Sequence, residues 1–227
     1  TAAVYTTSTP TTINLRNNIF SNTSTASGTG KTVAFQRAST ALTNYAATAN
    51  NNLFYGGIAG ASNLIYFDGT NADQTIGTFK TRMSTRDQAS VAENPPFLSV
   101  SGGSSNFLHI NTATSTQIES GAAPIATFTD DFDGDTRNVS TPDIGADEFN
   151  GVAAVVVSIN SISINPTGNL CSPALRTVTA NTTAGNSAIT TVTINYSLNG
   201  VSQSPITMTG GDPSSGQTST WTGTIPV

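Results

Sequence analysis

The chain has 227 residues, of which 36% are hydrophobic and only 9% charged, with a formal net charge of -5. An ordinary soluble domain carries about 25% charged residues; here Thr, Ser, Asn, Ala and Gly take their place, so hydroxyls and amides must solvate the surface. The eight basic residues are scattered singly, which leaves no basic stripe for phosphates and excludes nucleic acid and anionic membrane surfaces as partners, and no run approaches the ~18 apolar residues that cross a bilayer.

This balance suits an extracellular, all-β protein. The opening Thr1-Ala2-Ala3-Val4-Tyr5 lacks a start methionine and a basic, apolar leader, so residue 1 is expected to lie inside a longer precursor. The single Cys171 makes no internal disulfide and reads as a small buried hydrophobe.

Along residues 1–150 the apolar residues come in short clusters separated by Asn, Gly, Ser and Thr: Ile13-Asn-Leu15, Ile19-Phe20, Val33-Ala-Phe35, Leu53-Phe54-Tyr55, Leu64-Ile65-Tyr66-Phe67, Phe97-Leu98 and Leu108-His-Ile110. Such clusters predict many short strands with turns between them. Asn17-Asn18-Ile19-Phe20 recurs as Asn51-Asn52-Leu53-Phe54. In a stack of coils, like residues lie on like, so the repeat predicts Asn ladders at a turn with Ile19 and Leu53 inside. Ser27-Gly-Thr-Gly-Lys31-Thr32 has Thr25 where a phosphate-binding loop requires its first Gly, and reads as a turn between coils.

One helix is predicted, over 75–83. Ile76, Phe79 and Met83 share a face and Thr75 can cap the first turn. Pro95-Pro96 then forces an extended entry into Phe97-Leu98. His109 is the only histidine, so neither a histidine-rich zinc site nor a triad with a second histidine can be assembled; it reads as a hydrogen-bonding residue at the surface of a coil.

Seven of the thirteen acids fall between Asp130 and Glu148. Asp131, Asp133 and Asp135 alternate in a way that can bring carboxylates around a calcium ion, with Gly134 easing the turn, yet an EF-hand-like loop would need Gly at Thr136 and an acid at Pro142. The competing reading has these acids capping turns through backbone amides, with Arg137 paired to Asp143 or Asp147.

The run Asp131-Phe-Asp-Gly-Asp135-Thr-Arg137, followed by Thr141-Pro-Asp-Ile-Gly-Ala-Asp-Glu-Phe149, resembles the closing segment of right-handed parallel β-helix domains in very large secreted surface proteins of the Bacteroidota, the kind exported by type IX secretion. The resemblance covers roughly residues 13–149. It implies the C-terminal coils of a parallel β-helix, a bacterial cell-surface location, and adhesion or gliding as the role, with further domains of the same chain, secretion machinery or surface polysaccharide as partners.

From Gly151 the pattern changes. Val152–Ile159 and Ile162-Ser-Ile164 read as a strand or linker, and Arg176–Asn181 and Ile189–Leu198 alternate apolar and polar residues, as strands buried on one face do. Asn199-Gly200 signals a two-residue hairpin and Gly210-Gly211-Asp212-Pro213 another turn before Trp221. Residues 151–227 therefore resemble an Ig-like or fibronectin-like β-sandwich, incomplete at about five strands where a sandwich needs about seven, with an open strand edge.

The isolated Asp68, Asp73, Asp87, Glu93 and Glu119 indicate no catalytic pair by spacing, and only Arg137 among the bases lies near several acids. The expected role is structural display and binding without catalysis. The alternative is the non-catalytic end of a secreted polysaccharide-degrading β-helix enzyme, a lyase or glycosidase.

Overall fold

The computed structural model describes residues 1–154, 157–168, 174–184, 189–198, 200–211 and 217–226; Cys171 and Asn199 lie outside them. The chain divides into two compact units, Thr1–Ala153 and Ala154–Val227, whose regular secondary structure is strands apart from one short helix among the described residues.

The first unit runs β1 (Ala2–Thr6), β2 (Ile19–Ser21), β3 (Thr32–Arg37), β4 (Leu53–Tyr55), β5 (Asn63–Phe67), β6 (Ala72–Asp73), α1 (Ile76–Met83), β7 (Ser115–Thr116) and β8 (Val152–Ala153). β1, β3 and β5 pair in parallel, Val4 beside Phe35 and Phe35 beside Tyr66, and β6 closes this sheet in the antiparallel sense. A second parallel ladder joins β2 to β4, with Ile19 opposite Leu53 and Phe20 opposite Phe54, and a bridge carries it on from Leu53 to Val91. The sheets are therefore small and mixed. β3 is buried on both faces, with Val33, Ala34 and Phe35 at its centre, as the inner strand of a parallel sheet is.

The like-on-like prediction is visible in side chains. Phe20 stacks on Phe54 at 5.5 Å between ring centroids, and Phe54 continues to Phe35 at 6.0 Å and Phe79 at 5.0 Å. Asn18, 34 positions before Asn52, donates to its Oδ1 from both backbone N and side-chain Nδ2 at 3.0 Å. Asn52 N in turn donates to Ser90 Oγ at 2.9 Å. Asn17 and Asn51 both have φ near +57° (58° and 56°), a conformation that Asn tolerates better than most residues; this is why the repeated turn carries Asn.

The helix forms where its local signals place it. Thr75 Oγ1 accepts from Thr78 N at 3.3 Å, and Phe79 and Met83 are buried against the aromatic core while Ile76 packs at its margin. A second buried cluster joins Leu53, Ile110, Ile118, Ala122 and Ile144, the last from the acidic closing segment.

The second unit has a four-stranded antiparallel sheet ordered β15 (Thr209–Gly210), β16 (Thr218–Ile225), β10 (Arg176–Thr183), β9 (Ser158–Asn165). Two short ladders accompany it: β11 (Thr193–Ile194) with β14 (Ile206–Thr207), and β12 (Ser197–Leu198) with β13 (Val201–Ser202). Trp221 centres the core with Val178, Ala180 and Met208, and its indole N–H is shared between Ser219 Oγ at 2.9 Å and Thr182 Oγ1 at 3.1 Å, so a large aromatic is buried with its donor satisfied. Leu198 opposite Val201, with Gly200 at φ 81°, leaves a two-residue connection.

Three details depart from the sequence reading. Val152–Ala153 pairs with Ser115–Thr116 inside the first unit, apart from the strand Ser158–Asn165 that holds Ile159, so the run from Val152 to Ile159 is not one strand. Ile189–Leu198 yields two short strands. A bulge between β9 and β10 keeps Ile159, Ile162 and Ile164 opposite Thr182, Ala180 and Val178, on the face that elsewhere forms the core, yet these isoleucines are 61%, 62% and 42% exposed. Among the described residues, β9 has β10 as its single neighbour.

Candidate functional site

An open depression of about 1040 Å³ lies on the first unit. Its apolar wall comprises Ile19 and Phe20 from β2 together with Phe97, Val100, Phe107 and Leu108, while Asn18, Asn94, His109, Asp133 and Asp147 supply polar groups. Phe132 at its rim is 86% exposed and Val100 75%. Exposed apolar side chains rimmed by polar groups make this depression the candidate binding surface of the first unit. Leu108 holds φ 61° while its N–H donates to Ser99 O at 2.8 Å, an unusual backbone for a bulky residue that sets the adjacent His109 on the wall.

The acidic closing segment builds the floor. Ile144 is fully buried, and Gly145 follows with φ 107° and its N–H bonded to Asn17 O at 2.9 Å. A Cβ at Gly145 would stand 2.7 Å from Ile19 Cδ1, a side-chain end that could shift, so it is the backbone conformation that requires glycine.

Asp131, Asp143 and Glu148 serve chiefly to hold backbone. Asp131 Oδ1 accepts from the N–H groups of Asp133 and Asp135, and its Oδ2 from that of Glu148, all at 2.9 Å. Burial pushes Asp131 up, but these amides outweigh it and hold the carboxyl below the usual carboxylate range. Asp143 accepts from Ser120 N at 2.6 Å and Phe149 N at 2.8 Å. Arg137 pairs with Glu148 at 3.3 Å and donates to the carbonyls of Asp143 and Gly145; the carboxylates of Asp143 and Asp147, the partners expected from spacing, are engaged with backbone amides.

The predicted trio Asp131, Asp133 and Asp135 thus does not converge as one ligand set, because Asp131 is consumed in closing the turn. Asp133 instead lies with His109 and Asp147, and among the described residues this is the one group of three or more His, Cys, Asp or Glu side chains able to offer ligand atoms mutually within 4.8 Å. His109 Nδ1 is 3.0 Å from Asp147 Oδ1, Nε2 is 3.9 Å from Asp133 Oδ2, and Asp147 Oδ2 accepts from Ile110 N at 2.9 Å. The hydrogen bond to Asp147, then its charge, raises the His109 pKa. No spacing rule relates positions 109, 133 and 147, so sequence reasoning missed this grouping; the surplus of acids around a single histidine was the available signal.

Asp143 provides a pH prediction. Burial, with the nearby charges of Glu119 and Glu148, raises its pKa to about 6 despite two backbone donors. Its unfolded value is about 3.9, so the native state holds the extra proton. The stability it contributes is therefore full below about pH 4 and is lost as pH rises through about 6. Asp131 has the opposite sign, its contribution being present above the unfolded value and lost as pH falls. Carboxyl 13C titration should place the Asp143 midpoint near 6, with the signal absent in Asp143→Asn; a midpoint near 4 refutes this.

Comparison with known proteins finds no matching family model, no matching curated protein and no matching solved structure.

Proposed function

We propose that the chain is part of a secreted bacterial cell-surface adhesin, with residues 1–150 as the C-terminal coils of a right-handed parallel β-helix and residues 151–227 as an Ig-like or fibronectin-like module. The observation that carries this reading is the 34-residue repeat seen in three dimensions: Asn18 hydrogen-bonds to Asn52 and Phe20 stacks on Phe54 in a parallel ladder, as successive coils of a solenoid would. It agrees with the resemblance of the acidic closing segment to type IX-secreted adhesins. The segment binds and displays, and performs no catalysis.

The depression on the first unit is the surface assigned to binding. Phe107 and Phe132 offer flat apolar faces to sugar C–H groups, and Asn18, Asn94 and Asp133 offer partners to hydroxyls. The carboxylates and the net charge of -5 favour a neutral surface polysaccharide over an acidic one.

Retention on immobilised neutral polysaccharides tests this. Phe107→Ser and Phe132→Ser, both at exposed rings, should leave folding intact and weaken retention about fivefold each, the ~1 kcal/mol of a contributing interface residue. Failure to retain any neutral polysaccharide refutes the binding role, and release of shortened or unsaturated oligosaccharides would establish the enzyme alternative.

A further inference from the structure

We propose that His109 and Asp133 bind a zinc ion on the wall of this depression, with Asp147 as the positioning residue. The three side chains come from separate segments, and each has a distinct structural state. Asp147 is held by the Ile110 N–H on one oxygen and faces His109 Nδ1 with the other. This fixes the plane of the imidazole and keeps the Nδ1 proton in place, leaving the Nε2 lone pair directed away from Asp147; a carboxylate that orients a metal-binding histidine acts in this way.

Nε2 then faces Asp133 Oδ2 across 3.9 Å, too far for a hydrogen bond. Two ligand atoms each ~2.1 Å from one zinc ion span that distance at a ligand–metal–ligand angle of about 135°, and closing the gap by about 0.5 Å gives the tetrahedral angle. The Asp133 side chain sits in an exposed turn and can make that adjustment. Its carboxylate accepts no hydrogen bond among the described residues, although its own N–H is tied to Asp131. It is therefore an acceptor open to a cation at the edge of an apolar wall.

The donor set also selects the ion. One imidazole nitrogen with carboxylate oxygen suits zinc; calcium prefers six or more oxygens and magnesium an octahedral shell of them. Two protein ligands leave coordination positions open toward the depression, where water or a ligand hydroxyl completes the shell. This site stands independently of the adhesin reading, since zinc binding is measured on the isolated chain without any polysaccharide.

The test uses tag-free protein carrying Cys171→Ser, so that no thiol competes, stripped with chelator and titrated with zinc, calcium or magnesium. One equivalent of zinc is expected, bound at least about tenfold more weakly in His109→Ala and in Asp133→Asn, and unchanged in Asp135→Asn, whose carboxylate does not join the group. Asp147→Asn should weaken binding ~10-fold through loss of orientation. Because His109 is the only histidine, the 15N signals of its ring report on the site even where a variant is poorly folded: zinc should shift Nε2 and leave Nδ1 protonated. Absence of saturable zinc uptake, uptake unaffected by both ligand substitutions, calcium binding as tightly as zinc, or an unshifted Nε2 would each overturn the assignment.

Discussion

Leu53→Asp is expected to abolish cooperative folding of the first unit. Leu53 is fully buried between Ile19 and Val91 in the stacked ladder and belongs to the cluster that includes Ile110, Ile118 and Ile144. An aspartate there has no partner for its carboxylate and must either stay charged in an apolar site or take up a proton at a cost; either way several kcal/mol are lost, from a total that for a domain is typically about 5–15 kcal/mol. Leu53→Ala leaves a cavity instead and should cost about 2–5 kcal/mol. The readout is simple because Trp221, the only tryptophan, sits in the core of the second unit. Far-UV circular dichroism should lose the contribution of the first unit while Trp221 emission stays that of a buried indole. A native-like melting profile for Leu53→Asp would mean that this ladder is not the packing centre.

Asp87→Ala is expected to be nearly as damaging, for a polar reason. The fully buried Asp87 accepts from Tyr45 OH at 2.5 Å, Ser90 Oγ at 2.7 Å and Asn52 Nδ2 at 3.0 Å, and so ties the Asn18–Asn52–Ser90 ladder to the Tyr45 ring of the aromatic core. Burial raises the Asp87 pKa even against these donors, and burial with the charge of Asp87 raises that of Tyr45, so the tyrosine remains a donor at any ordinary pH. Removing the carboxylate strands three buried donors at once, which should cost about 3–5 kcal/mol. Its φ of 53° adds strain for alanine but little for asparagine. Asp87→Asn should therefore recover much of the loss, because its carbonyl oxygen still accepts and the Tyr45 hydroxyl can rotate to accept from the new amide. Thermal unfolding of the two variants checks this; equal destabilisation by Ala and Asn would point to charge rather than hydrogen bonding as the stabilising feature.

What could be read directly from the chain was whatever depends on residues near one another or on repetition. The helix over Ile76–Met83 was legible because its cap and buried face are set by positions three and seven apart. The stacking of Ile19, Phe20 and Asn18 on Leu53, Phe54 and Asn52 was legible because parallel pairing in register places like residues together. The β10–β16 pairing rests on period-two alternation, but the bulge that keeps Ile159 in line with Ile162 and Ile164 does not show in sequence. Tertiary structure alone decided the fate of the acids. Their spacing suggested convergence of Asp131, Asp133 and Asp135, whereas a carboxylate goes first to the unpaired backbone amides within its reach, and in the folded turn those lie around Asp131. Asp133 was thereby left for His109, a neighbour set by how distant segments close over Asn17 and Ile19, which no local pattern encodes.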